Sequence, residues 1–167
     1  MKRINVAAAA ALVVLAVPAL TGCFNGQGAT TTTQASMNSG NGVEVTQGAI
    51  HIENATLVMG PEGSTSATLI MRIVNTGAED DALTYATING VPAIVIEPEE
   101  PGSEGNVIGP GASVSYGYDS DRQVITETLD VPVSSYVDVE LGFQKAGLAQ
   151  MSVLTVPPVG YYEGITP

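Results

Sequence analysis

The single histidine of the chain, His51, stands in AIHIENATLVMGPEGSTSATLIMRI, residues 49–73, with Met59 and Met71 downstream of it. One imidazole and two thioethers are soft donors that suit copper(I), provided all three converge within bonding distance. The pleat argues against convergence. If Ile50 and Ile52 turn to a core, His51 and Glu53 between and beyond them turn to water. Met71 alternates with Leu69 and Ile73 as a flexible thioether does in ordinary core packing. Met59 precedes the Gly60-Pro61 turn. The pattern predicts a surface His51 and a core Met71, leaving His51, Met59 and Met71 as candidate ligands that strand geometry does not bring together.

Other chemistry has less to work with. A serine or cysteine nucleophile needs a base, and His51 is the sole imidazole. No GxSxG, P-loop or HExxH pattern occurs. Asp119 and Asp121 form a carboxylate pair, but among 17 acidic residues close pairs arise by number alone. The oxygen-rich loops 79–81, 97–104 and 119–121 lack the ligand order and central glycine of an EF-hand and read as solvated loops. No catalytic residue and no enzyme activity is expected.

The lone cysteine has a different use. Lys2 and Arg3 precede an uncharged Ala/Val/Leu run from Val6 to Leu20, the pattern of a secretory signal peptide, and Pro18 together with the short run argues against a membrane-spanning helix. The run closes with LTGC, residues 20–23, which resembles the bacterial lipobox, in which the cysteine thiol receives a diacylglycerol. Cys23 has no disulfide partner in its own chain. Residues 1–22 are therefore expected to be a lipoprotein signal peptide and Cys23 the lipidation site, with acyl chains holding the protein on the extracytoplasmic face of the cell membrane.

Without the leader, Arg72, Arg122 and Lys145 face 17 acidic residues, 3 against 17 and hence a net charge of −14. Nucleic acid is not a partner for such a chain. Acidic headgroups would repel the folded part as well, so the membrane contact is expected through the lipid anchor alone. Residues 23–42 carry no charge and are rich in Gly, Thr, Ser and Asn, a flexible tether. Its 19 residues after Cys23 span about 24 Å as a random coil.

Residues 43–156 have the length of one domain and a hydrophobic period of two. In YVDVELGF, residues 136–143, Val137, Val139, Leu141 and Phe143 share one face while Asp138 and Glu140 take the other. Ala67, Leu69, Met71 and Ile73 alternate likewise, as do Val114, Tyr116 and Tyr118. Turn residues separate these segments at PEG (61–63), NTG (75–77), NG (89–90), GPG (109–111) and KAG (145–147). The expected fold is all-β, an antiparallel two-sheet sandwich of cupredoxin-like or immunoglobulin-like kind. Residues 157–167 form a Pro/Gly-broken tail in which Tyr161 and Tyr162 dock either on the domain or on a partner.

Five segments in order, NAT (54–56), ATLIMRIVNTG (67–77), DDAL (80–83), IGPGASV (108–114) and VELGFQKAG (139–147), resemble the PCu(A)C periplasmic copper chaperones, and more closely the LpqE-like actinobacterial lipoproteins. The recurring marks are the pair N-x-G and D-x-L, the P-G-x-S-V leading into a strand, and L-x-F-x-K-A-G in the last hairpin. The resemblance implies the β-sandwich and the exported location. It also implies where copper(I) ligands would stand: a histidine and methionine after the D-x-L strand, and a His-x-Met in the strand after P-G. Those places here are GVPAIVIE (90–97) and DRQVIT (121–126), without histidine or methionine. The resemblance thus implies a binding or accessory protein that lacks the family's copper ligands, with no cofactor, associated with a membrane complex such as a respiratory oxidase. The alternative it leaves open is a copper(I) metallochaperone with substitute ligands drawn from Met59, Met71, Met151 or carboxylates.

Overall fold

A computed structural model of the chain describes residues 42–98, 105–117 and 120–166. The leader, Cys23, nearly all of the tether, most of the 97–104 loop, Tyr118 and Asp119 lie outside the described residues.

Among the described residues ten strands follow one another: β1 (Val43–Gln47), β2 (Ile50–Met59), β3 (Ala67–Asn75), β4 (Asp81–Ile88), β5 (Val91–Ile96), β6 (Val107–Ile108), β7 (Ser113–Tyr116), β8 (Gln123–Thr126), β9 (Tyr136–Phe143) and β10 (Gly147–Val156). A 3-10 turn, Gly160–Tyr162, lies in the tail. Among the described residues no helix is long and apolar enough to cross a membrane.

Pairing runs β2-β10-β9-β4-β5-β8-β3, and β3 pairs back onto β2, so seven strands close a ring. β1 adds to β2, β7 to β3 and β6 to β4. The all-β expectation holds, but the neighbours are not all antiparallel: Thr155 and Val156 of β10 run parallel to Leu57 and Val58 of β2. Parity requires this. Alternating directions close a ring only when the strand number is even, so a seven-strand ring needs a parallel seam.

The ring encloses the core. Ile50, Ile52, Leu57, Leu69, Ile73, Ile88, Val139 and Leu141 are wholly or almost wholly buried in it. Alternation delivers them: β9 shows buried residues at Val137, Val139 and Leu141 between exposed Tyr136 and Asp138, as its sequence requires. β7 runs to Tyr116, where Gly117 follows with φ +85°; Tyr118, the next residue of that alternation, lies outside the described residues.

β2 departs from simple alternation. Asn54 has φ +56°, and the register with β3 shifts between Glu53 and Thr56, a β-bulge. The extra residue moves the inward set from Ile50 and Ile52 to Ala55, Leu57 and Met59. Thr56 and Val58 then face outward, yet both are buried. The C-terminal tail lies there: Thr166 Oγ1 donates to the Val58 carbonyl at 3.0 Å. The tail therefore docks on the domain, while Tyr161 stays exposed with its ring edge against Tyr162 at 5.3 Å.

Gly142 on β9 lies opposite Tyr85 of β4, and a Cβ at Gly142 would enter the Tyr85 ring. The bare glycine is the floor on which that half-exposed ring rests. Gly142→Ala is expected to cost about 1 kcal/mol by urea titration, because the ring must swing away. In a Tyr85→Ala background the same change should cost nothing, and an undiminished cost there would refute the ring contact as its cause.

Candidate functional site

Ile96 pairs with Gln123, so Glu97 at the end of β5 and Arg122 just before β8 stand beside each other at one mouth of the ring. These are the two segments in which the resemblance places copper ligands. The described geometry there is a linear hydrogen-bond chain with an arginine contact beside it. The Tyr116 hydroxyl donates to Asn106 Oδ1 at 3.0 Å, and Asn106 Nδ2 donates to Glu97 Oε1 at 2.9 Å. Arg122 donates from Nε and Nη2 to the Gly105 carbonyl, at 3.3 and 3.0 Å.

Local turns set these side chains. Gly117 N–H donates to the Arg122 carbonyl, and Arg122 N–H donates to Ser120 Oγ, closing the β7–β8 turn. Gly105 has φ +61°, a conformation that favours glycine, and a Cβ there would sit 2.6 Å from Glu97 Oε2 and push the carboxylate aside. The Asn106 carbonyl accepts from Leu83 N–H, tying the cluster to β4.

Burial pushes the Tyr116 phenol well above its ordinary value of 10.0; the Arg122 charge offsets part of this and the Glu97 carboxylate adds to it. The folded state thus holds the phenolic proton more tightly than the unfolded chain. Stability from this source is complete below pH 10 and is lost as pH rises past it. Tyr116→Phe is expected to flatten the alkaline limb of the stability curve by up to about 1.4 kcal/mol per pH unit. Chemical denaturation from pH 9 to 11 measures it, and parallel curves for the two proteins would exclude the phenol as the source.

The donors at this mouth are a carboxylate, an amide, a phenol and a guanidinium, each already hydrogen-bonded. Copper(I) favours thioether, thiolate and imidazole ligands, so these residues do not fit it. The candidate ligands from β2 and β3 do not converge either. His51 lies opposite Val74, on the outward face with Arg72 and Glu53, and its Nδ1 is 3.2 Å from Thr46 Oγ1. Met71 and Met59 are both buried in the core. Met59 pairs with Ala67, four positions from Met71 along β3, a separation of about 13 Å. In an unbroken strand His51 and Met59 would share a face; the bulge at Asn54 puts them on opposite ones. Among the described residues no group of three or more His, Cys, Asp or Glu side chains is placed to hold a metal ion.

At another edge of the ring, Asn75 and Asp81 are buried beside a cavity of about 330 Å³ that Ala49, Glu79, Lys145 and Ala146 also line. Sequence reasoning saw the Asn and Asp only as recurring marks. Their side chains are structural clamps, joining β3, the 109–112 loop and the β9–β10 turn. The Lys145–Glu79 ion pair at the rim, 3.0 Å long, is exposed on both sides and adds little stability.

A closed β ring with these flanking strands is the fold of PCuAC domains. The chain is similar to the apo PCuAC domain from PmoF1, at 18% identity over 69% of this chain and 99% of that one, with a TM-score of 0.60. It is also similar to the apo PmoF2 PCuAC domain, at 23% identity over 70% and 97% with a TM-score of 0.56, and to the copper-bound PCuAC domain from PmoF2, at 22% identity over 69% and 98% with a TM-score of 0.52. No protein-family model and no curated protein matches the sequence. At these identities the likeness is one of fold.

Proposed function

We infer that the chain is a non-catalytic binding or accessory protein built on the PCuAC fold, anchored by lipid at Cys23 to the extracytoplasmic face of the membrane, and without the copper ligands that its fold relatives' name implies. The ring is read as flattened into two layers, the cupredoxin-like form of the fold. The observation that carries the reading is the Tyr116–Asn106–Glu97 chain: at the mouth where ligands are expected, these three described side chains offer hard oxygen and amide groups hydrogen-bonded to one another. A tethered domain without cargo chemistry acts through its surface, and a membrane complex such as a respiratory oxidase is the partner the resemblance suggests.

The likeness to a copper-bound domain favours one alternative, a copper(I) chaperone with substitute ligands. A titration of the chain with copper(I) against a competing chelator separates the two. We expect no stoichiometric binding at submicromolar free copper. Such binding would overturn the reading in favour of the alternative.

A further inference from the structure

β5 carries apolar residues on both of its faces. Ala93 and Val95 pack against the core from inside the ring, whereas Pro92, Ile94 and Ile96 point outward, where a strand with one wet face ordinarily places polar residues. Ile94 is 51% and Ile96 39% exposed. The register Ala86↔Ala93 puts Tyr85, 47% exposed, across from Ile94, and Ile94 pairs with Ile125 on the other side. Gly142, Tyr85, Ile94 and Ile125 therefore follow one another across β9, β4, β5 and β8, with Gly142 and Ile125 buried at the ends and Tyr85 and Ile94 exposed between them. Packing inside the ring gives no reason for that exposed pair.

Carboxylates frame this exposed apolar stretch. Glu97 follows Ile96 and is exposed; Glu140 lies across from Thr87, whose other neighbour is Pro92. Two of the basic side chains among the described residues are engaged elsewhere, Arg72 with Glu53 and Ser113 and Lys145 with Glu79; Arg122 stands beside Glu97 but is held on the Gly105 carbonyl. An acidic frame repels a second copy of this acidic chain and repels anionic headgroups, and it attracts cations.

We propose that Tyr85, Pro92, Ile94 and Ile96, framed by Glu97 and Glu140, form a docking surface for a protein segment with an apolar centre and Lys or Arg on both sides. The inference rests on the binding-protein reading above and names the surface that performs it. Apolar contact at the centre supplies affinity, and the framing carboxylates supply orientation and exclude uncharged competitors.

Photo-crosslinking in the producing cells tests it on the full chain. Benzoylphenylalanine replaces Ile94 or Ile96, and, as controls on other surfaces, Val133 or Leu148. The expected result is a protein adduct at 94 and 96, whose cross-linked peptide carries apolar residues bordered by Lys or Arg, with a yield on the order of tenfold above the controls. That adduct should weaken when Glu97→Gln and Glu140→Gln are combined with the cross-linker. Adducts only at 133 or 148 overturn the surface while leaving a binding protein in place. An adduct of twice the chain's mass, a lipid adduct, a peptide without basic residues, or an adduct indifferent to the two Glu→Gln changes overturns the proposed partner chemistry. No adduct at any position overturns the binding-protein reading itself.

Discussion

Replacing Asp81 by alanine is expected to lower folding stability by about 3 kcal/mol, a fall in melting temperature of roughly 10–15 °C for a domain of this size. The Asp81 carboxylate is buried and accepts three backbone N–H groups: Ala82 and Lys145 on Oδ1 at 2.8 and 2.9 Å, and Ala146 on Oδ2 at 2.8 Å. Bonds to an ionised acceptor are the stronger kind, and removal leaves three donors without their acceptor. The adjoining cavity lets water reach some of them, which keeps the estimate below the sum of three separate losses. Asp81→Asn should fall between the alanine variant and the parent, since in either orientation the amide NH2 opposes at least one N–H donor. A guanidinium titration in which Asp81→Ala loses less than about 1 kcal/mol would show that the clamp is dispensable.

Asn75 inverts this chemistry. Its Nδ2 donates to the carbonyls of Glu79 and Ile108 at 2.7 and 2.9 Å, and its Oδ1 accepts from Gly77 N–H at 2.9 Å. Its backbone N–H donates to Ala112, and its carbonyl accepts from Gly111 N–H, so one residue fastens the end of β3 to the 109–112 loop. Asn75→Ala is expected to cost about 3 kcal/mol by the same titration. Asn75→Asp should cost more than Asn75→Ala, because a carboxylate would face two carbonyl oxygens with no proton to offer. The reverse order would refute the donor role of the amide.

These two residues show what a pattern in the sequence means physically. The marks N-x-G and D-x-L are visible in the chain, but the partners that explain them lie far along it. Asp81 is needed where the backbone of the β9–β10 turn presents bare donors, and Asn75 where carbonyls and one donor meet.

The candidate site was legible in one respect. The absence of histidine and methionine from GVPAIVIE and DRQVIT is a fact of sequence, and it removes soft ligands from those segments whatever the fold. The Glu97–Asn106–Tyr116 chain carried no local signal, because its three members come from separate segments that only strand pairing brings together. The apolar outer face of β5 was written in VPAIVI, but a run apolar at every position does not say which side is inward until neighbouring strands are placed.

By itself the sequence determined the all-β class, the strands β3 and β9, most of the turns, and a surface His51 with a core Met71. Each of these depends on side-chain period or on turn residues acting within a few positions. Tertiary structure alone decided the ring closure, its parallel β10–β2 seam, the docking of the tail through Thr166, and the separation of His51 from Met59. The first three depend on contacts between distant segments, which no local period encodes. The last turns on one residue, Asn54, whose left-handed backbone inserts a bulge and reverses which side of β2 faces the core.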